Sequence, residues 1–164
     1  MTSMGADGNL VVHPLRRRFL PYVAKWLNEP DIAALMNVDK KITTSCLLKT
    51  WKTARDSLEI RTFIFVYNGS PIGQGFLFNF HENSCEIGWF LSSRYRSRGL
   101  GFLSHKHLLT YASQLPNISS VRAVVRQQNV PSMRVVQRLG YKEVYECDRG
   151  VMYSLSSAPV ARCV

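Results

Sequence analysis

With 164 residues, 46% of them hydrophobic and 20% charged, the chain is long enough to bury one core and reads as a single soluble globular domain over 1–164. No apolar run approaches the roughly 20 residues of a membrane span, and the opening "MTSMGADGNL" lacks the basic start, apolar middle and small-residue cleavage site of a signal peptide, so the expected location is cytoplasmic. A net charge of +10 implies an anionic partner, whether nucleic acid, a ribosome surface, a membrane face or a phosphorylated small molecule; yet only "LRRR" and "RYRSR" are dense, and neither is interleaved with aromatics as a single-strand platform would be.

Residues 1–10 and 156–164 are rich in small and polar side chains and read as loosely held ends. After a strand-like "NLVVH", Phe19, Tyr22, Val23, Trp26 and Leu27 recur at helical spacing, and Asn28-Glu29-Pro30 is expected to stop that helix. A second helix is predicted over 45–58. The period then changes: "TFIFVY", the tight turn "NGS" and "PIGQGFLFNF" predict a hairpin, and "CEIGWFL" a third antiparallel strand. A helix from near Gly99 to about Gln114 follows, then "VRAVVR" as a strand, with Val121, Ala123 and Val125 on its apolar side. A short helix over 131–139 is closed by Gly140, where a positive φ is commonly wanted. "YKEVYE" and "VMYSL" predict a closing hairpin. The expected fold is α/β (α+β), a mixed and mostly antiparallel sheet with helices on both faces. Cys46, Cys85, Cys147 and Cys163 are scattered, with no CxxC pair and no histidine grouping, which predicts free thiols and no metal site.

The stretch "YRSRGLGFLSHKHLL" raises the chemical question. A strand ending at Leu91, a loop, and a helix starting near Gly99 bring free backbone N–H groups to one point, and those amides with the helix dipole favour an anion such as phosphate. Glycines let the backbone approach closely, and Arg96 and Arg98 add forked hydrogen bonds to phosphate oxygens. A glycine-eased turn with solvated arginines is the alternative. No GxxxxGK[ST] string exists here, and "GLGFLS" has Ser104 where a dinucleotide fingerprint wants its third glycine.

"RSRGLG" resembles the R/Q-x-x-G-x-G/A signature of the GCN5-related N-acetyltransferases, in which the loop and helix start hold the pyrophosphate of acetyl-coenzyme A. "NVPSMRVVQRLGY" resembles that superfamily's N-x-x-[AS]…LG[FY] segment at Asn129, Ser132, Leu139, Gly140 and Tyr141. "CEIGWFL" is similar to the strand before the loop, and "WLNEPDIAALM" to the W-x-N-x-P-x-I stretch of the RimJ/RimL-type subgroup. The resemblance covers most of residues 15–155. It implies a splayed strand pair at the cofactor site, acetyl-coenzyme A as co-substrate, and a primary amine as acceptor, either a protein N-terminus or a small molecule such as an amino sugar. It also implies that coenzyme A is held by Phe90, Leu91, Arg96, Ser97, Arg98, Gly99, Leu100, Gly101, Phe102, Asn129 and Ser132.

Acetyl transfer asks for a held thioester, a donor to its carbonyl oxygen, a base for the ammonium and an acid for the departing thiolate. The resemblance assigns the first two to the strand through Trp89, Phe90 and Leu91, with Gly88 permitting a bulge or bend. A tyrosine and a glutamate used by many relatives are replaced here by Val136 and Val124, so that mechanism does not transfer. Ser132 is the candidate acid, or else a cap of its helix. Glu86 is the candidate base, being on the strand beside the acyl site, unless it pairs with an arginine; alternation puts it on one face with Gly88 and Phe90. Glu143, Glu146 and Asp148, with Glu29 and Asp31, are the acids available to draw in a cationic acceptor. His105 and His107 cannot share a helix face and are expected to be structural or solvent-facing. A non-catalytic acyl-coenzyme A-binding or nucleic-acid-binding module on the same fold is the alternative, because fold does not fix function.

Overall fold

The computed structural model describes residues 9–54 and 57–156. Seven strands form one sheet: β1 (Leu10–Pro14), β2 (Arg61–Tyr67), β3 (Ser70–His81), β4 (Ser84–Leu91), β5 (Ser120–Val125), β6 (Lys142–Cys147) and β7 (Gly150–Ser156), in spatial order β1-β2-β3-β4-β5-β7-β6. Every neighbouring pair is antiparallel except β4 and β5, which are parallel. The helices are α1 (Leu20–Leu27), α2 (Pro30–Leu35), α3 (Thr44–Ala54), α4 (Leu100–Ser113) and α5 (Val130–Arg138), with short 3-10 turns at Arg17–Phe19 and Ser93–Tyr95. The meander of β2, β3 and β4 turns through Asn68 and Gly69, both at positive φ, which is why "NGS" serves there.

Period-two alternation divides the core between the two sheet faces. On one face Phe63, Phe65, Leu77, Ile87 and Leu91 pack with Leu100, Leu108 and Ala112 of α4. On the other, Ile64 and Phe90 pack with Val23, Trp26, Leu27 and Ile32 of α1 and α2. Ala123, Val125, Val136 and Tyr141 make a third cluster that seats α5 beside α4. Helices therefore cover both faces, as the patterning predicts.

α1 ends at Leu27, so Asn28-Glu29-Pro30 stops that helix as expected; Pro30 then stands at the first position of α2, a helix not foreseen, where its missing N–H needs no acceptor and its fixed φ suits the helix. One local expectation changes. The helix predicted over 45–58 ends at Ala54 among the described residues, and Leu58 beyond it is 80% exposed, with no core to fold against. None of the described residues lies in a helix long and apolar enough to cross a membrane. The expected loose ends fall almost entirely outside the described residues.

Candidate active site

The parallel pairing of β4 with β5 runs only from Ser84, Cys85 and Glu86 to Ser120, Val121 and Arg122. Past Glu86, β4 stays on β3 up to Leu91, while β5 follows β7 up to Val125. The two strands part, and main-chain groups of 87–91 on the β5 side have no ladder partner, which a polar extended ligand can supply. Gly88 causes no bulge: the β3–β4 register runs unbroken through it, and an added Cβ would lie 3.3 Å from the Phe78 ring. The expected bend there is thus replaced by a divergence of whole strands, with Gly88 relieving packing.

At the far end of β4 the chain turns into α4. Ser97 (φ 60) and Gly99 (φ 76) take left-handed conformations, no side chain caps the helix, and the amides from Ser97 to Phe102 find no acceptor among the described residues. That is an anion-binding geometry. The helix start lies against β4, and a Cβ at Gly101 would fit there in ordinary contact, 3.9 Å from Leu91 Cδ1 and 4.0 Å from Trp89 Nε1. Leu100 is buried, so only its amide is available, and Phe102 lies beneath the Arg138 guanidinium at 4.2 Å. Arg98 reaches over the Tyr95 ring at 5.9 Å. Arg96 is committed within the fold: its Nε donates to the Leu91 carbonyl at 2.9 Å, and its outer nitrogen pairs with Asp31. Burial pushes the Asp31 carboxyl up, but the hydrogen bond and charge of Arg96 together hold it below the usual range. Glu29 fastens the preceding turn, accepting from the Ser92 hydroxyl at 2.7 Å and the Ser93 amide at 2.9 Å.

A cleft of about 1180 Å³ opens on the α1–α3 side of the sheet and reaches the parting of the strands; Glu86, Trp89, Phe90, Val124, Asn129 and Ser132 all border it. The loop over 96–102 does not border that cleft. Glu86 is 4% exposed. Asn79 Nδ2 donates to its Oε1 at 3.1 Å, and the Arg149 guanidinium donates to both oxygens at 3.3 Å. That pairing raises the Arg149 pKa, the Glu86 hydrogen bond being the largest cause. The α5 cap is Asn129, whose Oδ1 accepts from the Ser132 amide at 3.3 Å, and no hydrogen bond engages the Ser132 hydroxyl among the described residues. Phe90 turns its ring edge-on to Trp26, 6.3 Å between centroids, leaving its main chain at the gap.

A match to the acetyltransferase (GNAT) domain spans residues 9–142. The chain belongs to the GNAT acetyltransferase family. The uncharacterized N-acetyltransferase YnaD of Bacillus subtilis (strain 168) is 29% identical over 63 residues, which are 38% of this chain and 37% of that relative. Spermidine N-acetyltransferase from Vibrio cholerae, in complex with CoA and spermine, has the same fold, with a TM-score of 0.81 at 14% identity over 90% of this chain and 95% of that one. So does the Campylobacter jejuni N-acetyltransferase PseH in complex with acetyl coenzyme A, with a TM-score of 0.72 at 16% identity over 92% of this chain and 100% of that one.

Within this GNAT fold the remaining candidates separate by position. Val136 is fully buried in the third core cluster and does not border the cleft, whereas Val124 does. Glu143 and Glu146 are exposed on the edge strand β6 and do not line the cleft; Asp148 does. His105 is buried, its Nε2 2.7 Å from the Tyr141 hydroxyl, and His107 is exposed. Sequence reasoning missed Arg149 and Asn79 as the partners of Glu86, and Glu29 and Asp31 as the residues that anchor the loop. An acid-base bias around residues 86 and 149 is no signal by itself, since nothing local links positions 63 apart. Among the described residues no group of His, Cys, Asp and Glu could hold a metal ion.

Proposed function

We propose that this chain is an N-acetyltransferase of the RimJ/RimL type that moves the acetyl group of acetyl-coenzyme A to a primary amine, a protein N-terminus or a small molecule. One observation carries the reading: β4 parts from β5 just past Glu86, with the uncapped start of α4 at the mouth of the gap. In this reading the coenzyme diphosphate lies against the amides of Ser97 to Phe102, and its pantetheine arm bonds the free edge of β4 at Phe90 and Leu91. The thioester then sits in the gap beside the cleft, which turns a bimolecular encounter into an oriented one. An unpaired β4 amide is the donor for the oxyanion.

Glu86 takes a proton from the acceptor ammonium and passes it to water. The amine nitrogen bonds to the carbonyl carbon, and the tetrahedral adduct then breaks its C–S bond, the electron pair leaving with sulfur. The Ser132 hydroxyl protonates that sulfur and is reprotonated by water carrying the second proton of the adduct nitrogen. The products are an N-acetylated amine and free coenzyme A.

Acetyl-coenzyme A at about a hundred times its Kd is expected to raise Tm by about 5–10 °C. Gly101→Trp, which brings a bulky indole to the uncapped start of α4 although its Cβ has room, is expected to abolish the rise. Glu86→Gln is expected to keep the rise and lower amine-dependent thiol release by about a hundredfold. An unmoved Tm would overturn the acetyl-coenzyme A site, and undiminished turnover in Glu86→Gln would remove that residue from the base role.

A further inference from the structure

Glu86 and Arg149 form an ion pair with unequal members. The carboxylate is buried in mid-sheet, its side chain 5% exposed, and keeps a partner of its own in Asn79. Arg149 comes from the turn between β6 and β7, and its side chain is 51% exposed. Both N···O contacts are 3.3 Å, longer than the roughly 2.7–2.9 Å of a close charge-assisted bond. Arg149 can therefore swing outward without disturbing the core.

Around this pair the cleft is mainly apolar, with Phe76, Phe78 and Leu47 on its wall. Its charged lining is Arg61, Arg126 and Arg149 against Glu86 and Asp148. Arg126 donates to the carbonyls of Ala34 and Leu35, and Arg61 to the Tyr111 hydroxyl, so both are held in place by the fold. A polyamine entering here meets more cations than anions. A peptide N-terminus brings an ammonium that competes for Glu86 but nothing that neutralises the displaced Arg149. A ligand carrying both charges exchanges partner for partner and leaves no charge unpaired.

We propose that the acceptor is a free amino acid with an apolar side chain, its ammonium taking the place of the Arg149 guanidinium on Glu86 and its carboxylate pairing with Arg149. This rests on the acetyl-transfer reading and narrows its substrate. The side chain lies on the apolar wall, and the amine is delivered to the carboxylate at the base of the strand parting.

The test supplies the full chain and acetyl-coenzyme A with L-phenylalanine, L-phenylalaninamide, 2-phenylethylamine or spermidine and reads thiol release. The acid is expected to exceed the amide in kcat/KM by about tenfold or more, the worth of one charge-assisted contact. Arg149→Gln is expected to bring the acid-to-amide ratio to within about twofold of one, and Arg149→Lys to restore part of it. A wild-type ratio near one, or preference for the amide or spermidine, overturns the assignment whatever the variants do. Calorimetric titration of acid and amide, with and without coenzyme A, reads the same preference without turnover. Acid-selective binding with no turnover supports the amino-acid site and counts against acetyl transfer alone; equal or absent binding of the two overturns the site.

Discussion

His105 illustrates how a single residue of the loop's helix is used. Its ring meets Trp89 edge-on at 4.2 Å between centroids and its Nε2 meets the Tyr141 hydroxyl, so one buried imidazole ties α4 both to β4 and to the segment after α5. Burial drives its pKa from 6.5 down to about 3, and burial likewise pushes the Tyr141 hydroxyl up, keeping it protonated. The unfolded chain takes up a proton on this histidine below pH 6.5, while the folded chain does not until about 3. Stability from this site is therefore full above pH 6.5 and falls as pH drops through that window, by at most about 1.4 kcal/mol per pH unit. Wild-type Tm is expected to fall more steeply from pH 7 to pH 4 than that of His105→Gln. Parallel Tm–pH curves would show that the imidazole is not held neutral.

At the scale of elements, the loop before α4 is held by side chains from α2 and the residue preceding it. The stretch Trp26 to Ile32 supplies the parts: Trp26 packs on Phe90 of β4, Asn28 brackets the Ile42 backbone, Pro30 opens α2, and Ile32 is 1% exposed. Glu29 and Asp31, on the same stretch, face the other way and grip Ser92, Ser93 and Arg96. Arg96 thus shapes the anion loop from beneath. Because the pair with Asp31 is largely exposed, the ion pair itself is worth at most about 1 kcal/mol to stability, and loss of Arg96 also removes its hydrogen bond to the Leu91 carbonyl. Asp31→Asn is expected to reduce the Tm rise given by acetyl-coenzyme A in the same direction as Arg96→Ala and by a smaller amount. A full rise in Asp31→Asn with a diminished one in Arg96→Ala would mean that Arg96 acts on the coenzyme directly.

Across the whole molecule the site depends on where one sheet is allowed to open. Gly73 decides how closely β3 holds the last residues of β4: a Cβ there would lie 2.2 Å from the Phe90 carbonyl oxygen and 2.9 Å from Leu91 Cα. Gly73→Ala must push β4 toward the gap, and overpacking of this kind costs about 1–3 kcal/mol, or a Tm lower by about 2–12 °C in a chain of this length. The acetyl-coenzyme A rise is expected to vanish with it; an unchanged Tm and rise would show that the two strands are not so closely bound. Much of this architecture was legible beforehand. The strands and the helices before and after them follow from residue period and from turn residues such as Asn68-Gly69, and the glycine-rich start of α4 from residues a few positions apart. α2 was not legible, because a proline that opens a helix and one that ends the preceding helix occupy the same place in a string. Sequence alone determined the strands, the helices other than α2, their order and the glycine-rich turn before α4, since each is encoded within a short window of residues. Only the tertiary structure decided that Glu86 meets Arg149, that Val136 is core while Val124 borders the cleft, and that Asp31 serves the loop, because burial and charge pairing are set by which strands the sheet places side by side.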